Sequence, residues 1–294
     1  MRIVSLIPSA TEIVFALGLA DELVGVTFEC DFPPDPRRDR HVVVGGLDTQ
    51  GLSPESIDRL VREKIAEGDD LYRLDEDRFL SCDPTHVLTQ DLCRVCALPS
   101  GEADAALERL GCDADVTTLD PHTLDDVLAT IVEAGRTLGV DDRAARLVDD
   151  LRSRIDAVTQ RVGDRERPSV FVLEWSDPPF LSGHWVPDLV VAAGATPVLA
   201  ETGGRSVPTE WDTIAEHDPD IVVVAPCGFG LDGASEQATA VLDRLPPRAQ
   251  VWAIDADGLV VRPGPRLVDG IDALATIFHP DLFDGPHPSV RRIR

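Results

Sequence analysis

The sequence has almost no lysine: of its 27 lysine and arginine residues, Lys64 is the single lysine. Its 53 acidic residues give a net charge of −26 and are spread along the whole chain, as the pairs Asp141-Asp142 and Asp149-Asp150 illustrate. The negative electrostatic potential of such a surface repels nucleic acids and anionic lipids, so neither is an expected partner. We interpret the acidic surface as an adaptation to a high-salt cytoplasm, where salt screens the repulsion between carboxylates. A patch that binds a cationic partner is the alternative.

Long apolar runs are missing as well. No stretch approaches the roughly 18–20 apolar residues that a membrane-spanning helix needs, so membrane insertion is not expected. The chain enters a strand-like segment at 1–8 without the basic segment, long apolar stretch and small-residue cleavage site of an export signal. The sequence therefore predicts a cytoplasmic protein. A mis-assigned start codon that removed an upstream signal would instead make the protein extracytoplasmic.

Signature motifs of phosphate-binding loops and of common hydrolases are also missing. The sequence contains no G-x-x-x-x-G-K-[ST], G-x-S-x-G or H-E-x-x-H motif. An enzyme would therefore lack a ready-made set of nucleophile and base, which favours a binding protein. The apolar content of 43% is enough for real hydrophobic cores and excludes a disordered chain. The length of 294 residues predicts two domains.

Two segments of the chain, 83–93 and 218–227, are versions of each other. Each begins with Asp-Pro, which ends a preceding helix because proline cannot continue it. A short apolar run follows, typical of a strand buried on both faces, and each segment ends on a cysteine, Cys93 or Cys227. In open α/β sheets ligands bind at the C-terminal ends of the strands. The repeat therefore predicts two similar lobes, each directing a thiol toward one site.

Strand-like and helix-like segments alternate around this repeat, which predicts mainly parallel sheets with flanking helices. The first helix is indicated by a capping box at 9–12 and by Gly18 as its C-terminal stop. Apolar residues recur at helical spacing over 123–162, with a break near Gly139. This stretch predicts one long helical connector or two helices in line.

The predicted domain organisation has four parts. An N-terminal α/β lobe covers 1–120, a helical linker 121–165, a C-terminal α/β lobe 166–280 and a loosely held tail 281–294.

The motifs resemble those of the helical-backbone (class III) solute-binding proteins of ABC transporters, in their cobalamin- and iron-siderophore-binding branch. The matching features are the run Ser5–Glu12, the two Asp-Pro-strand units and the long central helical region. Within that branch the chain is similar to proteins without an export signal. Those proteins carry three further motifs, found here at Gln90–Cys96, Gly183–Trp185 and Pro226–Phe229.

The resemblance implies two Rossmann-like lobes joined by a long helical linker, with a ligand held in the cleft between them. Related proteins bind cobalamin, haem, siderophores or bare metal ions. An exported binding protein delivers its ligand to a membrane permease from outside the membrane, which a cytosolic protein cannot do. The resemblance therefore implies a ligand-binding role but leaves the transport role open.

Four cysteines are candidate metal ligands because they follow predicted strands: Cys30, Cys93, Cys96 and Cys227. Four thiolates suit zinc or an iron–sulfur cluster, and thiolates also suit contact with a corrin-bound cobalt. The alternative is that these cysteines pack as small apolar residues under the loops. Cys82 and Cys112 precede or open strands and are expected to lie away from the site.

The candidate ligand contacts are polar or aromatic residues near predicted strand ends. Trp175 and Phe180 suit an apolar wall against a large flat ligand. Trp185 has core packing as its alternative, and His184 is either a ligand or an ordinary loop histidine. The full set is Glu29, Asp48, Gln90, Asp91, Glu174, Trp175, Phe180, His184, Trp185 and Phe229.

Three functional hypotheses follow. The first is a cytosolic protein that binds a corrinoid, such as cobalamin, or a similar metallo-tetrapyrrole between its lobes. The second is a metalloenzyme or redox protein with a cysteine-bound metal, for which Glu29, Asp91 and Glu174 are the acid–base candidates. The third is the binding component of an importer, with an ABC permease as its partner.

Overall fold

The computed structural model describes residues 1–33, 35–92 and 100–294, with the side chains of Glu102 and Asp104 left out. The described chain divides into two compact units. Unit 1 comprises residues 1–121 and 128–148, and unit 2 comprises residues 122–127 and 149–294.

Unit 1 is built on a sheet with the strand order β4-β3-β2-β1-β5-β6. All neighbouring strands are parallel except β3 and β4. The strands are β1 Ile3–Ser5, β2 Leu23–Thr27, β3 His41–Gly46, β4 Tyr72–Leu74, β5 His86–Thr89 and β6 Asp115–Thr118. Its helices are α1 Pro8–Ala16, α2 Pro54–Glu67, α3 Glu76–Ser81 and α4 Ser100–Leu110, with α5 Leu124–Thr137 beyond its first turn and the first part of α6 Asp141–Val162.

Unit 2 is built on a sheet with the strand order β12-β11-β10-β7-β8, to which β9 adds by pairing with β7. The central pairs are parallel, and β8 and β12 are antiparallel to their neighbours. The strands are β7 Ser169–Ser176, β8 Pro179–Leu181, β9 Thr196–Pro197, β10 Ile221–Val224, β11 Gln250–Ile254 and β12 Val290–Arg292. Its own helices are α7 Val186–Ala192, α8 Trp211–His217, α9 Leu231–Ala240, α10 Ala256–Leu259 and α11 Leu267–Phe278. Two α/β units with mainly parallel sheets confirm the predicted fold class.

The Asp-Pro repeat occupies equivalent places in the two units. Asp83 follows α3 and Asp218 follows α8, and both adopt left-handed backbone angles, with φ of 45° and 39°. The strand after each turn, β5 or β10, lies inside its sheet and is nearly all buried. The repeat therefore marks the same helix–turn–strand junction twice, as the sequence predicted.

Each unit has its own hydrophobic core between sheet and helices. In unit 1 the core includes Val4, Leu6, Val43, Val44, Phe79, Val87 and Leu107. In unit 2 it includes Phe171, Leu173, Ile214, Val222, Val224, Ala234 and Val251. Within the described residues, no helix combines the length and apolarity required to cross a lipid bilayer.

The predicted capping box at 9–12 is wrong. Helix α1 begins at Pro8, after Ile7, and no side chain caps it. Proline suits the first helical turn because the amide hydrogen it lacks would have no intrahelical partner there. The hydroxyl of Thr11 instead donates to Ser5 Oγ at 2.9 Å, inside the protein. The predicted stop is confirmed, since Gly18 has φ of 71° just after the helix.

The helical linker consists of two helices that do not run in line. A Cβ atom added to Gly135 in α5 would lie 2.3 Å from the Cβ of Ala144 in α6. In one continuous helix, residues nine positions apart are separated by about 13 Å. Gly139, with φ of 67°, turns the chain between the two helices, and Gly135 allows them to touch. The sequence indicated the break but not the close packing that follows it.

The predicted loose tail over 281–294 is also wrong. Strand β12 pairs with β11, with Ile254 opposite Val290 and Trp252 opposite Arg292. The Arg294 guanidinium donates to three backbone carbonyls, those of Leu242, Pro246 and Ala249. The tail is thus an integral edge of the unit 2 sheet.

Candidate ligand-binding site

Three of the predicted aromatic residues come together at the C-terminal ends of strands in unit 2. Trp175 lies opposite Phe180 in the β7–β8 hairpin, and the Phe229 ring centroid is 5.8 Å from that of Trp175. The Trp175 indole donates to the Asp177 carbonyl at 3.1 Å, which fixes the orientation of the ring. All three side chains are partly exposed. We call Trp175, Phe180 and Phe229 the aromatic edge.

Glu174 and Cys227 lie beside the aromatic edge. The backbone amide of Cys227 donates to the Glu174 carbonyl at 3.2 Å, and the cysteine is exposed. The Glu174 carboxylate accepts a hydrogen bond from the Gly183 amide at 3.2 Å. Glu174 therefore joins the aromatic edge to the loop that carries His184.

The Gly183-His184-Trp185 motif forms a tightly packed loop. A Cβ atom at Gly183 would lie 2.3 Å from the Ser206 backbone nitrogen, so only glycine fits there. His184 has φ of 51°, a left-handed conformation that is uncommon for a residue with a side chain. Its amide donates to the Gly204 carbonyl at 2.5 Å, and its carbonyl accepts from the Gly203 amide at 3.0 Å.

Trp185 belongs to the core of unit 2, not to an open ligand wall. Its side chain is buried, and its indole donates to the Val260 carbonyl at 2.8 Å. The core-packing alternative therefore describes Trp185 better than the predicted ligand contact. Its burial anchors the loop just after His184.

The His184 imidazole is half-buried and lies close to a second histidine. Its ring centroid is 6.1 Å from that of His122, which precedes α5. Burial lowers the pKa of His184, and the electrostatic influence of the nearby His122 and Arg205 acts in the same direction. The imidazole is therefore neutral at pH 7, with a nitrogen lone pair available.

The predicted site residues of unit 1 serve mainly internal contacts. The Tyr72 hydroxyl donates to Glu29 Oε1 at 3.3 Å. Cys30 is buried, with its sulfur 3.1 Å from Thr11 Oγ1 and 3.3 Å from Thr27 Oγ1. A buried thiol held by two hydroxyls is poorly placed to bind a metal, so the packing alternative describes Cys30 better.

Asp48, Gln90 and Asp91 lie in or next to loops of unit 1. Asp48 is exposed and accepts a hydrogen bond from the amide of Gln50 at 3.1 Å, which makes a local turn. Gln90 is buried directly after β5. Asp91 accepts from both the amide and the hydroxyl of Ser100, the first residue of α4. Asp91 therefore caps a helix, which is a structural use of a proposed acid–base group.

Of the four cysteines of the predicted metal site, two lie within the described residues. Cys93 and Cys96 lie outside the described residues, and Cys30 and Cys227 belong to different units. Over 1–33, 35–92 and 100–294, no group of three or more histidine, cysteine or acidic side chains could hold a metal ion. As predicted, Cys82 lies outside the candidate site: it is buried in unit 1, and burial raises the pKa of its thiol.

Sequence reasoning missed two features of unit 2. One is His122, whose place is indicated by the helix-capping pattern Thr123–Asp126 directly after it. The other is the G-x-G-x-x-G spacing at Gly228–Gly233, between β10 and α9. A Cβ at Gly233 would lie 2.7 Å from the Phe229 ring, so this glycine makes room for an aromatic side chain. The acidic residue after the next strand, Asp255, caps α10 by accepting from the Gly258 amide. Gly233 therefore serves packing of the aromatic edge.

The chain belongs to the periplasmic binding protein family, whose sequence profile matches residues 3–253. A curated relative is an ABC transporter substrate-binding lipoprotein of Bacillus subtilis, 27% identical over 96% of this chain and 81% of the relative. The vitamin B12-binding protein of Vibrio cholerae is 23% identical over 94% of this chain and 88% of its own.

Solved structures show the same fold. A periplasmic haem-binding protein from Pseudomonas aeruginosa superposes with a TM-score of 0.71 and 22% identity, covering 99% of this chain and 97% of its own. The periplasmic vitamin B12-binding protein of Vibrio cholerae gives a TM-score of 0.67 and 20% identity, covering 94% of this chain and 96% of its own. At these identities the solved structures establish the fold.

Proposed function

We propose that this protein binds a corrinoid, such as cobalamin, and that the aromatic edge of unit 2 forms one wall of the ligand site. The observation that carries the proposal is the assembly of Trp175, Phe180 and Phe229 at the strand ends. Aromatic faces suit a large, flat, mostly apolar ligand. Relatives named for vitamin B12 binding and structures named for haem binding support the same ligand class.

Haem is the second candidate ligand. The half-buried, neutral imidazole of His184 favours it, because a neutral imidazole is a common ligand of haem iron. Titration with haem beside cobalamin separates the two candidates.

The test is calorimetric titration of purified protein with cobalamin. Replacing Trp175 by alanine removes an aromatic face and is expected to weaken binding by about tenfold or more. Phe283→Ala is the matched control, because Phe283 is a partly buried aromatic of unit 2 that stacks under Arg161 and lies outside the aromatic edge. Wild-type protein that shows no binding at high micromolar cobalamin would end the corrinoid proposal.

A cysteine-bound metal remains the alternative from a different class of protein. Elemental analysis and a visible spectrum of the native protein test it directly. Zinc or iron bound through thiolate ligands, without corrinoid or haem, would favour the metal or redox hypothesis. Stoichiometric corrinoid would favour the binding protein.

We also propose that the protein acts in the cytoplasm. The described cysteines Cys30, Cys82, Cys112 and Cys227 are all free thiols, which suits a reducing compartment. Cell fractionation with an antibody tests this. Recovery outside the cytoplasmic membrane would favour an importer component instead, and an ABC permease would then be its partner.

A further inference from the structure

We propose that the imidazoles of His122 and His184 together bind one divalent transition-metal ion. Their ring centroids are 6.1 Å apart, with the ring planes inclined at 44°. Two imidazoles that ligate one ion have centroids within about 6.4 Å of each other, because each nitrogen lies about 2.0–2.1 Å from the metal. The observed separation is thus compatible with a shared ion after small side-chain rotations. The inference rests on the two imidazoles and does not depend on corrinoid binding.

The backbone at His122 is fixed by a reciprocal helix cap. The amides of His122 and Thr123 donate to Asp126 Oδ2 at 3.1 and 2.9 Å, and the Asp126 amide donates back to Thr123 Oγ1 at 3.1 Å. This pattern satisfies amide groups at the start of α5 and defines the direction of the chain there. His122 is therefore held at a fixed point, while its side chain remains exposed.

Asp188 ties the His122 segment to the part of unit 2 that carries His184. Its Oδ2 accepts from the Leu124 amide at 2.9 Å, and its Oδ1 accepts from the Thr202 hydroxyl at 2.7 Å. Thr202 adjoins Gly203, whose amide donates to the His184 carbonyl. One carboxylate thus connects the two backbone segments that carry the imidazoles.

The backbone at His184 is held in an unfavourable conformation by its surroundings. A left-handed residue with a side chain costs conformational energy, and such strain concentrates at functional sites. Gly183 and Trp185 on either side fix the loop by close packing and by burial. These two neighbours therefore fix the backbone that carries the His184 imidazole.

The chemistry of the two rings suits a metal. Within the described residues, neither ring nitrogen of His122 or His184 takes part in a hydrogen bond with the protein. Two imidazoles supply part of a coordination sphere, and water or a second ligand would complete it. Imidazole sites bind copper, nickel and zinc more tightly than manganese or iron(II). Arg205 also faces His184, and its positive charge opposes a bound cation.

Calorimetric titration of chelator-treated protein with nickel(II) chloride tests the proposal, and we expect one ion per chain. His122→Ala and His184→Asn should each weaken binding at least about tenfold, since each removes one of two ligands. Asparagine is chosen at 184 because it tolerates the left-handed backbone. His217→Ala is the control, because His217 is exposed on α8 and contacts the Thr213 carbonyl. Arg205→Gln should tighten binding about twofold by removing a repelling charge.

A spectroscopic readout separates imidazole from thiolate ligands. Electron paramagnetic resonance of the copper(II)-loaded protein should show coupling to two imidazole nitrogens, and to one in either histidine variant. Circular dichroism confirms that each variant is folded. Wild-type protein that binds no nickel or copper would overturn the proposal. Histidine variants with wild-type affinity would overturn it too, whatever the cobalamin titration shows.

Discussion

The two units share the same helix–turn–strand junction but differ in the side chains at the ends of their strands. In unit 1 the ends of β1 and β2 are closed by a buried cluster of hydroxyls and a thiol: Ser5, Thr11, Thr27 and Cys30. In unit 2 the corresponding region carries the partly exposed aromatic edge and the His184 loop. The repeated helix–turn–strand junction therefore supports the sheet in both units, while the candidate ligand contacts lie in the loops beyond it.

The strand next to the first strand of each sheet makes this difference possible. In unit 1, β1 pairs with β2, which has five residues. In unit 2, the edge of β7 that faces away from β10 pairs in parallel with only the two residues of β9, and the rest of that edge pairs with β8. The β7–β8 hairpin takes the space that a full parallel strand would occupy. That substitution brings Phe180 opposite Trp175.

The largest expected effect is a rise of the melting temperature with salt, and it should involve both units. With a net charge of −26, the native state should be weakened by repulsion in dilute buffer. Raising potassium chloride from low to molar concentration should raise the melting temperature by about 10 °C or more, because salt screens that repulsion. Scanning calorimetry shows whether both units respond. A melting temperature that does not change would refute the halophilic interpretation.

Removing residues 288–294 should destabilise unit 2 and leave the stability of unit 1 unchanged. The deletion removes β12 and the contacts of Arg294 and leaves the β11 edge unpaired. We expect unit 2 to lose about 3–5 kcal/mol of unfolding free energy. Hydrogen exchange followed by mass spectrometry resolves the two units. Full-length Arg291→Ala, which loses an exposed ion pair with Asp232, should cost less than about 1 kcal/mol. Unchanged protection of β10 and β11 would contradict the expectation.

Two glycine substitutions, one in each unit, should differ in how much they lower the free energy of unfolding. Gly183→Ala should destabilise unit 2 by about 2–3 kcal/mol, because its Cβ overlaps the backbone at Ser206. Gly45→Ala in β3 of unit 1 is the matched control, since its Cβ meets nothing within 4 Å. Urea unfolding of both variants measures the difference. Equal costs at the two positions would show that the His184 loop tolerates more movement than its packing indicates.

The features that sequence predicted are those with local causes. Proline chemistry at the two Asp-Pro turns locates the central strands, and apolar runs locate the buried ones. Ser53, in the run Ser-Pro-Glu, caps α2 by accepting from the Ser56 amide. Such signals lie within a few residues of the structure they determine.

The features that sequence reasoning missed have partners far away in the chain. The Trp185 indole donates to the Val260 carbonyl, and β12 pairs with β11. Both partners are distant in sequence, so neither contact has a local sequence signal. The His122 ring lies near that of His184, and Asp188 connects the two backbone segments that carry them. Residue type alone could suggest these residues as candidates, but their neighbours are determined by the folded structure.

The position of β12 in the chain has a consequence for biosynthesis. Unit 1 is complete once a ribosome has made residue 148, whereas the sheet of unit 2 needs residues 290–292. Domains fold as units during translation, N-terminal first. Unit 1 can therefore fold on the ribosome well before its neighbour. Until β12 arrives, the nascent chain displays an unpaired edge of β11 to chaperones and to other nascent chains.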